Sequence, residues 1–547
     1  MVRSKLRLGI LLDTFLIPNW VYHSLDRVVH LDCVQICLVV LNRRDNVNMP
    51  GDMYFAPPRS GKLLSYAQKI DDILFHRGAD AFSPRDSRDM LQDVPILYMC
   101  PGYGDVAGCI NHNDVDVIRS YHLDILIRAG FESLSGEILT AARYGIWSYC
   151  NSRYHGYREV IGRETATSVC LYILDSGQGG RVIYKSSVQT YPFSPSRSRN
   201  RCFWVASSFL SRQIDLLYRV GDHVFFKRTE PYGLFHETVS EPGMTMLSEP
   251  ELLSGHLTVF LRSIREFIRR LFHQENWYLL FVIGDMGLTS SYAQFLKLQP
   301  DRMRFWADPH VVNLQDKYFI FIEEFIRRNR KGRISVIEME KDGSYRQPIP
   351  VLSHEYHLSY PFVFPWNGRY YMVPETSANR TIQLYECIHF PFKWQFKMNL
   401  MENILAVDST LFFHKNKWWL FTGVTENEGA LPEVELFLFS SESLLSRDWT
   451  PHPLNPIISD VKKARPAGAL FYKDGRLFRP GQDCSRNYGW GFNINEIVEL
   501  SENEYSEKTI VTITPEWDPD ITGVHTFSQA GSITVIDACQ SMGKAPW

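Results

Sequence analysis

WADPHVVNLQDKYFIFIEE, residues 306–324, sets a short polar phrase before an apolar strand, a turn and an aromatic strand. The same order returns as SYPFVFPWNGRYYMVPE from Ser359, AVDSTLFFHKNKWWLFTG from Ala406 and ARPAGALFYKDGRLFRPGQD from Ala464. A third strand follows each copy, as RISVIEM, TIQLYECI, EVELFLF and NINEIVEL, and a fainter fifth copy, HTFSQAGSITVIDA, starts at His525. Repeats of roughly 45–60 residues built from four short strands are the sequence form of a β-propeller. The repeat therefore predicts an all-β five-bladed propeller over residues 276–547. NWYLLFVIG (276–284) lies ahead of the first copy and reads as the strand that joins the last blade to the first, leaving no exposed edge.

Each opening phrase enters the innermost strand, so its polar residues are expected beside the central channel, where they are costly unless paired or used. The candidates are Trp306, Asp308 and His310 in the first copy, Tyr360 and Glu375 in the second, and Asp408 in the third. Arg465 and Asp483 come from the fourth copy and His525 from the fifth. Acids, aromatic faces and an arginine converging on one channel suit a sugar, because rings stack on pyranose faces and carboxylates bind hydroxyls or do acid–base work. The alternative for each acid is structural, a bond to adjacent backbone that fixes a blade. The expected partner is a carbohydrate or nucleotide sugar, with no metal.

Upstream, residues 1–190 alternate strand and helix: KLRLGILL, NWVYHSLDRVVHL, CVQICLVVL, PILYM, a helix around Asp114–Tyr121, LDILIR, and SGEILTAARYG, read as a helix ended by Gly145. Such alternation predicts a parallel, doubly wound α/β domain. Residues 191–275 read as a helical connecting region that begins with an exposed turn, SPSRSRNR (194–201). Within it HLTVFLRSIREFIRRLF (256–272) gathers apolar residues on one face, while Arg262, Arg265, Arg269 and Arg270 supply charge. That pattern suits either packing between domains or contact with an anionic membrane.

Apolar residues at 45% and aromatics at 14% exclude a disordered chain, and a formal charge of −3 argues against a nucleic-acid partner. Ten scattered cysteines without a CxxC pair suit a reducing compartment. The opening MVRSKLRLGILLDTF has a basic lead and an apolar run, but Asp13 interrupts the run and no small-residue cleavage site follows. A first strand and a cytoplasmic protein are expected.

The run LDILIRAGFESLSGEILTAARYGIWSYCNSRY (123–154), with TSVCLYILDSGQGGRVIYKS (167–186), resembles the formyltransferase family. That resemblance implies a domain that moves a formyl group from 10-formyltetrahydrofolate to an amine, using an Asn, a His two residues on, and a later Asp. Ser148 and Cys150 fall on the Asn and His positions. Asp175 matches the literal LDSG string, whereas the register of the next strand puts Gln178 there, and Asn151 and His155 are the candidate shifted replacements. These departures imply a retained fold with an eroded site; 10-formyltetrahydrofolate and amino-sugar N-formyl transfer are implied only if the domain is active.

The propeller half resembles the five-bladed propellers of glycoside hydrolases. YHLSYPFVFPWNGRYYMVPETSANRTIQLYEC (356–387), RDWTPHPLNPI (447–457) and YGWGFNINEI (488–497) look like the N-terminal domain of plant glucosamine inositolphosphorylceramide transferases. The hydrolase resemblance implies Asp308 as base or nucleophile, Asp408 as orienting acid and Glu375 as general acid. Together the resemblances imply a carbohydrate-active protein of polysaccharide or glycolipid biosynthesis, or a non-catalytic glycan-binding protein.

Overall fold

VQICLVVLN and ILIR are buried almost throughout, as strands covered on both faces must be. They belong to an eight-stranded sheet in the order Leu234–His236, Gly179–Gln189, Ala166–Leu174, Ile146–Tyr149, Ile125–Arg128, Leu6–Leu12, Val34–Asn42, Ile96–Met99. The last five of these are parallel to one another, and the first three pair antiparallel. The computed structural model describes residues 4–43, 62–75, 78–99, 110–131, 134–150, 155–175, 179–236, 249–284, 287–427 and 429–544. The chain forms two units, Met1–Ser263 with Asn427–Ala430, and Ile264–Glu426 with Leu431–Trp547. The sheet makes the first unit an α/β domain; its strand order alone does not make it a formyltransferase.

Two segments of this unit depart from the sequence reading. SGEILTAARYG forms only the 3-10 turn Gly136–Thr140. The Arg143 and Tyr144 amides bond the carbonyls of Leu123 and Asp124, which lead into the adjacent strand, so no helix can claim them. SPSRSRNR is the start of the helix Pro195–Ala206 rather than an exposed turn. Ser194 accepts from the Arg197 amide at 3.0 Å and Pro195 takes the first helical place, a start signal that outweighed the polar composition. Residues 191–263, read as a connecting region, lie within the first unit.

The second unit is a propeller of five blades. The first four are Arg304–Leu314 through Ile349–Leu352, Ser359–Trp366 through Lys393–Glu402, Ala406–His414 through Ile458–Ser459, and Phe471–Lys473 through Tyr505–Ile513. The fifth combines Ile521–Gly523, Phe527–Ala530 and Ile533–Gly543 with His273–Ile283 and Leu296–Leu298. As expected for the closing strand, His273–Ile283 pairs antiparallel with Ile533–Gly543 along its whole length.

The aromatic second strands explain why the blades stack. A separate apolar cluster fills each gap between neighbours. Phe321 and Val336 meet Val363 and Met372 between the first and second blades, and Val373 meets Leu411 and Leu420 between the second and third. Leu436 meets Leu477 between the third and fourth, Phe478 meets Ile536 between the fourth and fifth, and Val535 meets Ile320 between the fifth and first. Fully burying one such side chain contributes about 1.5–3 kcal/mol. Among the described residues no helix is long and apolar enough to cross a membrane.

Candidate functional site

In the first three blades the opening phrase interrupts the pairing of the first two strands. The register slips between Ala307 and His310, between Ser359 and Phe362, and between Val407 and Thr410. At each slip one residue takes a left-handed φ: Asp308 at 51°, Tyr360 at 42° and Asp408 at 50°. Such a bulge re-aims a side chain out of the strand's alternation. Asp enters this conformation readily, whereas for a residue as bulky as Tyr it is a strained outlier. Arg465 and His525 hold the corresponding place in the phrases of the fourth and fifth blades, and all five residues are buried.

Hydrogen bonds run between neighbouring blades around the whole axis. The Tyr360 amide donates to Asp308 Oδ2 at 3.1 Å, and the Tyr360 hydroxyl meets Thr410 Oγ1 at 2.8 Å. Arg465 donates to both oxygens of Asp408, from Nε at 2.5 Å and from Nη2 at 3.3 Å. The Phe527 amide donates to the Ala467 carbonyl at 2.7 Å, and Thr526 Oγ1 donates to Asp308 Oδ1 at 3.1 Å. The close approach of the fourth and fifth blades needs Gly468: its φ is +142°, and a Cβ there would overlap the Phe527 carbonyl.

Two charge clusters sit on this ring. In one, His525 bridges two carboxylates, with Nε2 3.1 Å from Asp308 Oδ1 and Nδ1 2.9 Å from Asp537 Oδ2. The Nδ1 contact is an ion-pair approach without hydrogen-bond alignment. Burial opposes charge on His525, but Asp537 and Asp308 outweigh it and lift the imidazole to about 10. Burial likewise pushes Asp308 up; the hydrogen bond and charge of His525 and the Tyr360 amide reverse that and hold it below the usual carboxylate range. The three side chains lie close enough to hold a metal ion. Without a metal, the protonated imidazole is the cation that balances these two acids, and a metal ion would have to displace that proton.

In the other cluster Arg465 joins Asp408 to Glu375, whose Oε2 lies 3.5 Å from Nη2, while Glu375 Oε1 accepts from the Ser377 hydroxyl at 2.9 Å. Gln482 Nε2 donates to Asp408 Oδ2 at 2.8 Å. Burial and the nearby acids push the Asp408 carboxyl up, whereas for Arg465 the charge of Asp408 overcomes burial and raises the guanidinium. These two tendencies conflict, and the guanidinium, which keeps its proton, decides in favour of an ion pair. Tyr488 is 44% exposed and stands over this charge, its ring centroid 4.9 Å from Arg465 Cζ and 5.3 Å from the His525 ring. Trp277 packs on the same imidazole at 4.4 Å. Tyr488 marks where the ring meets solvent.

The structure thus brings together Asp308, Tyr360, Glu375, Asp408, Arg465 and His525. It places three other candidates elsewhere. Trp306, two residues ahead of Asp308, is fully buried in the apolar cluster between the fifth and first blades, so it is no sugar platform. His310 faces the Phe362 ring at 5.0 Å, and burial lowers its pKa to about 4. Asp483 accepts from the Ser485 amide at 2.9 Å.

Three residues of the site escaped the sequence reading. Glu323 pairs with the residue just ahead of the bulge in the first blade as Glu375 does in the second, and aligning FIE (321–323) on VPE (373–375) would have found it. It lies 3.4 Å from His357 Nε2, and burial with the charge of Asp308 raises its pKa well above the usual value. Asp537 is hidden in the apolar run ITVIDA. Tyr488 sits in a loop, where no periodicity points to it.

In the first unit Ser148 is fully buried, and its hydroxyl donates to the adjacent Tyr149 carbonyl at 3.4 Å. Cys150 Sγ accepts from the Cys170 amide. The Asp175 carboxylate accepts from the Gly179 amide at 3.3 Å, and the Asp175 amide donates to the Gly179 carbonyl at 2.9 Å. His155 is buried against Phe203, with its pKa lowered to about 4 by burial, and Asn151 and Gln178 lie outside the described residues. At the two positions the resemblance marks, Ser148 and Cys150 supply neither a carboxamide nor an imidazole.

Fold and site together define a five-bladed propeller with a buried, charged axial ring. Its residues 298–518 match the family described as glucosamine inositolphosphorylceramide transferase 1, N-terminal. Glucosamine inositolphosphorylceramide transferase 1 of Arabidopsis thaliana is 34% identical over 206 residues, which cover 37% of this chain and 27% of that protein. The protein of the same name from Oryza sativa subsp. japonica is 35% identical over the same length and shares. The match therefore spans about a quarter of those relatives. Among solved structures, an exo-1,5-α-L-arabinanase from a bovine ruminal metagenomic library is 14% identical, with a TM-score of 0.30, over 44% of this chain and 95% of its own. An α-L-arabinofuranosidase of Podospora anserina is 10% identical, with a TM-score of 0.33, over 48% and 97%.

Proposed function

We propose that the propeller binds the sugar-bearing head group of a glycolipid, or the nucleotide sugar used to build one, at the solvent end of its axial ring. The observation that carries this reading is the half-exposed Tyr488, whose ring lies over Arg465 where that guanidinium meets Glu375. It joins a stacking face to hydrogen-bonding charge, the combination a polyhydroxylated ring requires. Similarity to a glucosamine inositolphosphorylceramide transferase over the residues that supply both features supports glycolipid biosynthesis as the setting. Binding is favoured over glycoside cleavage because Asp308 and Asp408, the implied base and orienting acid, already engage the Tyr360 amide, Thr526, His525, Arg465 and Gln482. The first unit enters the proposal as an α/β scaffold with no formyl transfer assigned to it.

The test is calorimetric titration of the whole chain with nucleotide sugars and water-soluble glycosyl-inositol phosphates. Glu375→Gln and Tyr488→Ala should each weaken binding by about tenfold or more, equivalent to ~1.4 kcal/mol. Their melting temperatures should stay near that of the unaltered protein, since neither residue belongs to an apolar cluster. Unchanged affinity in both variants would refute the site. Turnover of a glycoside that vanishes in Asp308→Asn while binding survives would instead favour catalysis.

A further inference from the structure

The helix Glu249–Phe272 is turned the wrong way round for a globular protein. It packs through its small and polar side: Leu252 and Val259 are buried, His256 meets the Tyr157 ring at 5.6 Å, and Gly255 lies against Ile161. Arg262 on the same side donates to the Pro192 and Val160 carbonyls. The opposite side carries Leu257, Leu261, Ile264, Phe267, Ile268 and Leu271, and all of them face solvent; Phe267 is 64% exposed and Leu257 59%. An amphipathic helix ordinarily buries that stripe. A contiguous exposed stripe of this kind marks an interaction surface.

We propose that this face is a lipid-binding surface that seats the protein on an anionic bilayer. Charge selects the occupant: from Leu257 to Phe272 the helix holds four arginines against the single Glu266. Glu266 is spent on Arg269 and Arg270, at 2.7 and 2.6 Å. Arg265 stands at one edge of the apolar stripe and Arg270 beyond the other, where lipid phosphates would meet them. The shape of the stripe points the same way. At 3.6 residues per turn its apolar positions span about 120°, wider than the two-position seam by which one helix grips another. A bilayer accepts a broad ridge without needing a matching groove, and a helix with leucine and phenylalanine on one face and arginine on the other lies in its interface. A second helix of the first unit, Lys62–Phe75, also exposes Leu63, Tyr66, Ile70 and Ile73 along one stripe. Both helices border the same segment, since Phe75 packs on Tyr191 and Ser263 reaches the Phe193 carbonyl.

Flotation of the full chain with vesicles of phosphatidylcholine, with and without phosphatidylserine, tests the proposal. The protein should rise with the serine-containing vesicles, less with neutral ones, and less at high salt. A Phe267→Glu/Leu271→Glu variant should lose most of the bound fraction, and Arg265→Glu a smaller, salt-sensitive part. Thermal unfolding should be unchanged in both, because the residues are already exposed. Protein that stays with the lipid-free fractions at every composition overturns the proposal, as does equal flotation of the glutamate variant. Concentration-dependent self-association by sedimentation, abolished by the same variant and without flotation, would assign the face to a second copy and overturn it as well.

Discussion

Replacing Arg465 with methionine is expected to lower the unfolding free energy of the propeller by about 3–5 kcal/mol. The guanidinium is the cation shared by Asp408 and Glu375, and its removal leaves the buried Asp408 carboxylate without its counter-charge. Gln482 remains as a donor to Asp408, but one neutral hydrogen bond does not replace a two-point charge contact. Urea titration followed by tryptophan fluorescence reads the loss. Adding Asp408→Asn to Arg465→Met should recover part of the stability, since the asparagine carries no charge to strand and tolerates the left-handed φ. A loss below ~1 kcal/mol in the single variant would mean that the pair is open to solvent.

His525→Gln should produce a stability loss that depends on pH. The folded imidazole titrates at about 10 against an ordinary value of 6.5, so it holds its proton more tightly in the folded ring. Its contribution is complete below the unfolded value, declines between 6.5 and about 10, and vanishes above. Asp308 works in the opposite sense: its folded value is depressed, so its contribution is present above 3.8 and is lost as the pH falls through the folded value. The gap between wild type and variant should therefore be widest near pH 4–6.5, on the order of 4 kcal/mol, and close as the solution nears pH 10. Chemical denaturation at stepped pH measures it. A gap that is flat across this range would show that His525 is neutral in the folded protein.

The propeller was legible because its pattern repeats. One phrase repeated across the blades exposes the inner strand, and the turn after it dates the second. The polar phrases also revealed the ring positions, since a charged residue at the start of an otherwise apolar strand has few explanations. What stayed hidden were groups whose partners come from elsewhere. Asp537 reads as one polar residue in a buried strand until His525 is seen against it. Trp306 misled for the converse reason: its neighbour Asp308 is turned inward by a bulge, and without the bulge the alternation cannot be assigned. The short crossover Gly136–Thr140 failed because backbone bonds to a neighbouring strand, not propensity, determine it. The outward apolar face of Glu249–Phe272 was visible as a stripe, but periodicity cannot say which side of a helix meets solvent.

The fifth blade has a consequence for the order in which the protein is made. Its central pair joins Ile283 to Ile533 and His273 to Gly543, residues 250 to 270 positions apart. Four blades leave the ribosome before that partner strand exists, and until it arrives His273–Ile283 presents an unpaired edge. Long-range pairing of this kind folds slowly and exposes strand edges to aggregation while it waits. The axial ring is subject to the same delay, since Asp308 is synthesised more than two hundred residues ahead of the His525 and Asp537 that balance its charge. Ring closure thus has to wait until His525, Asp537 and the strand Ile533–Gly543 have been made.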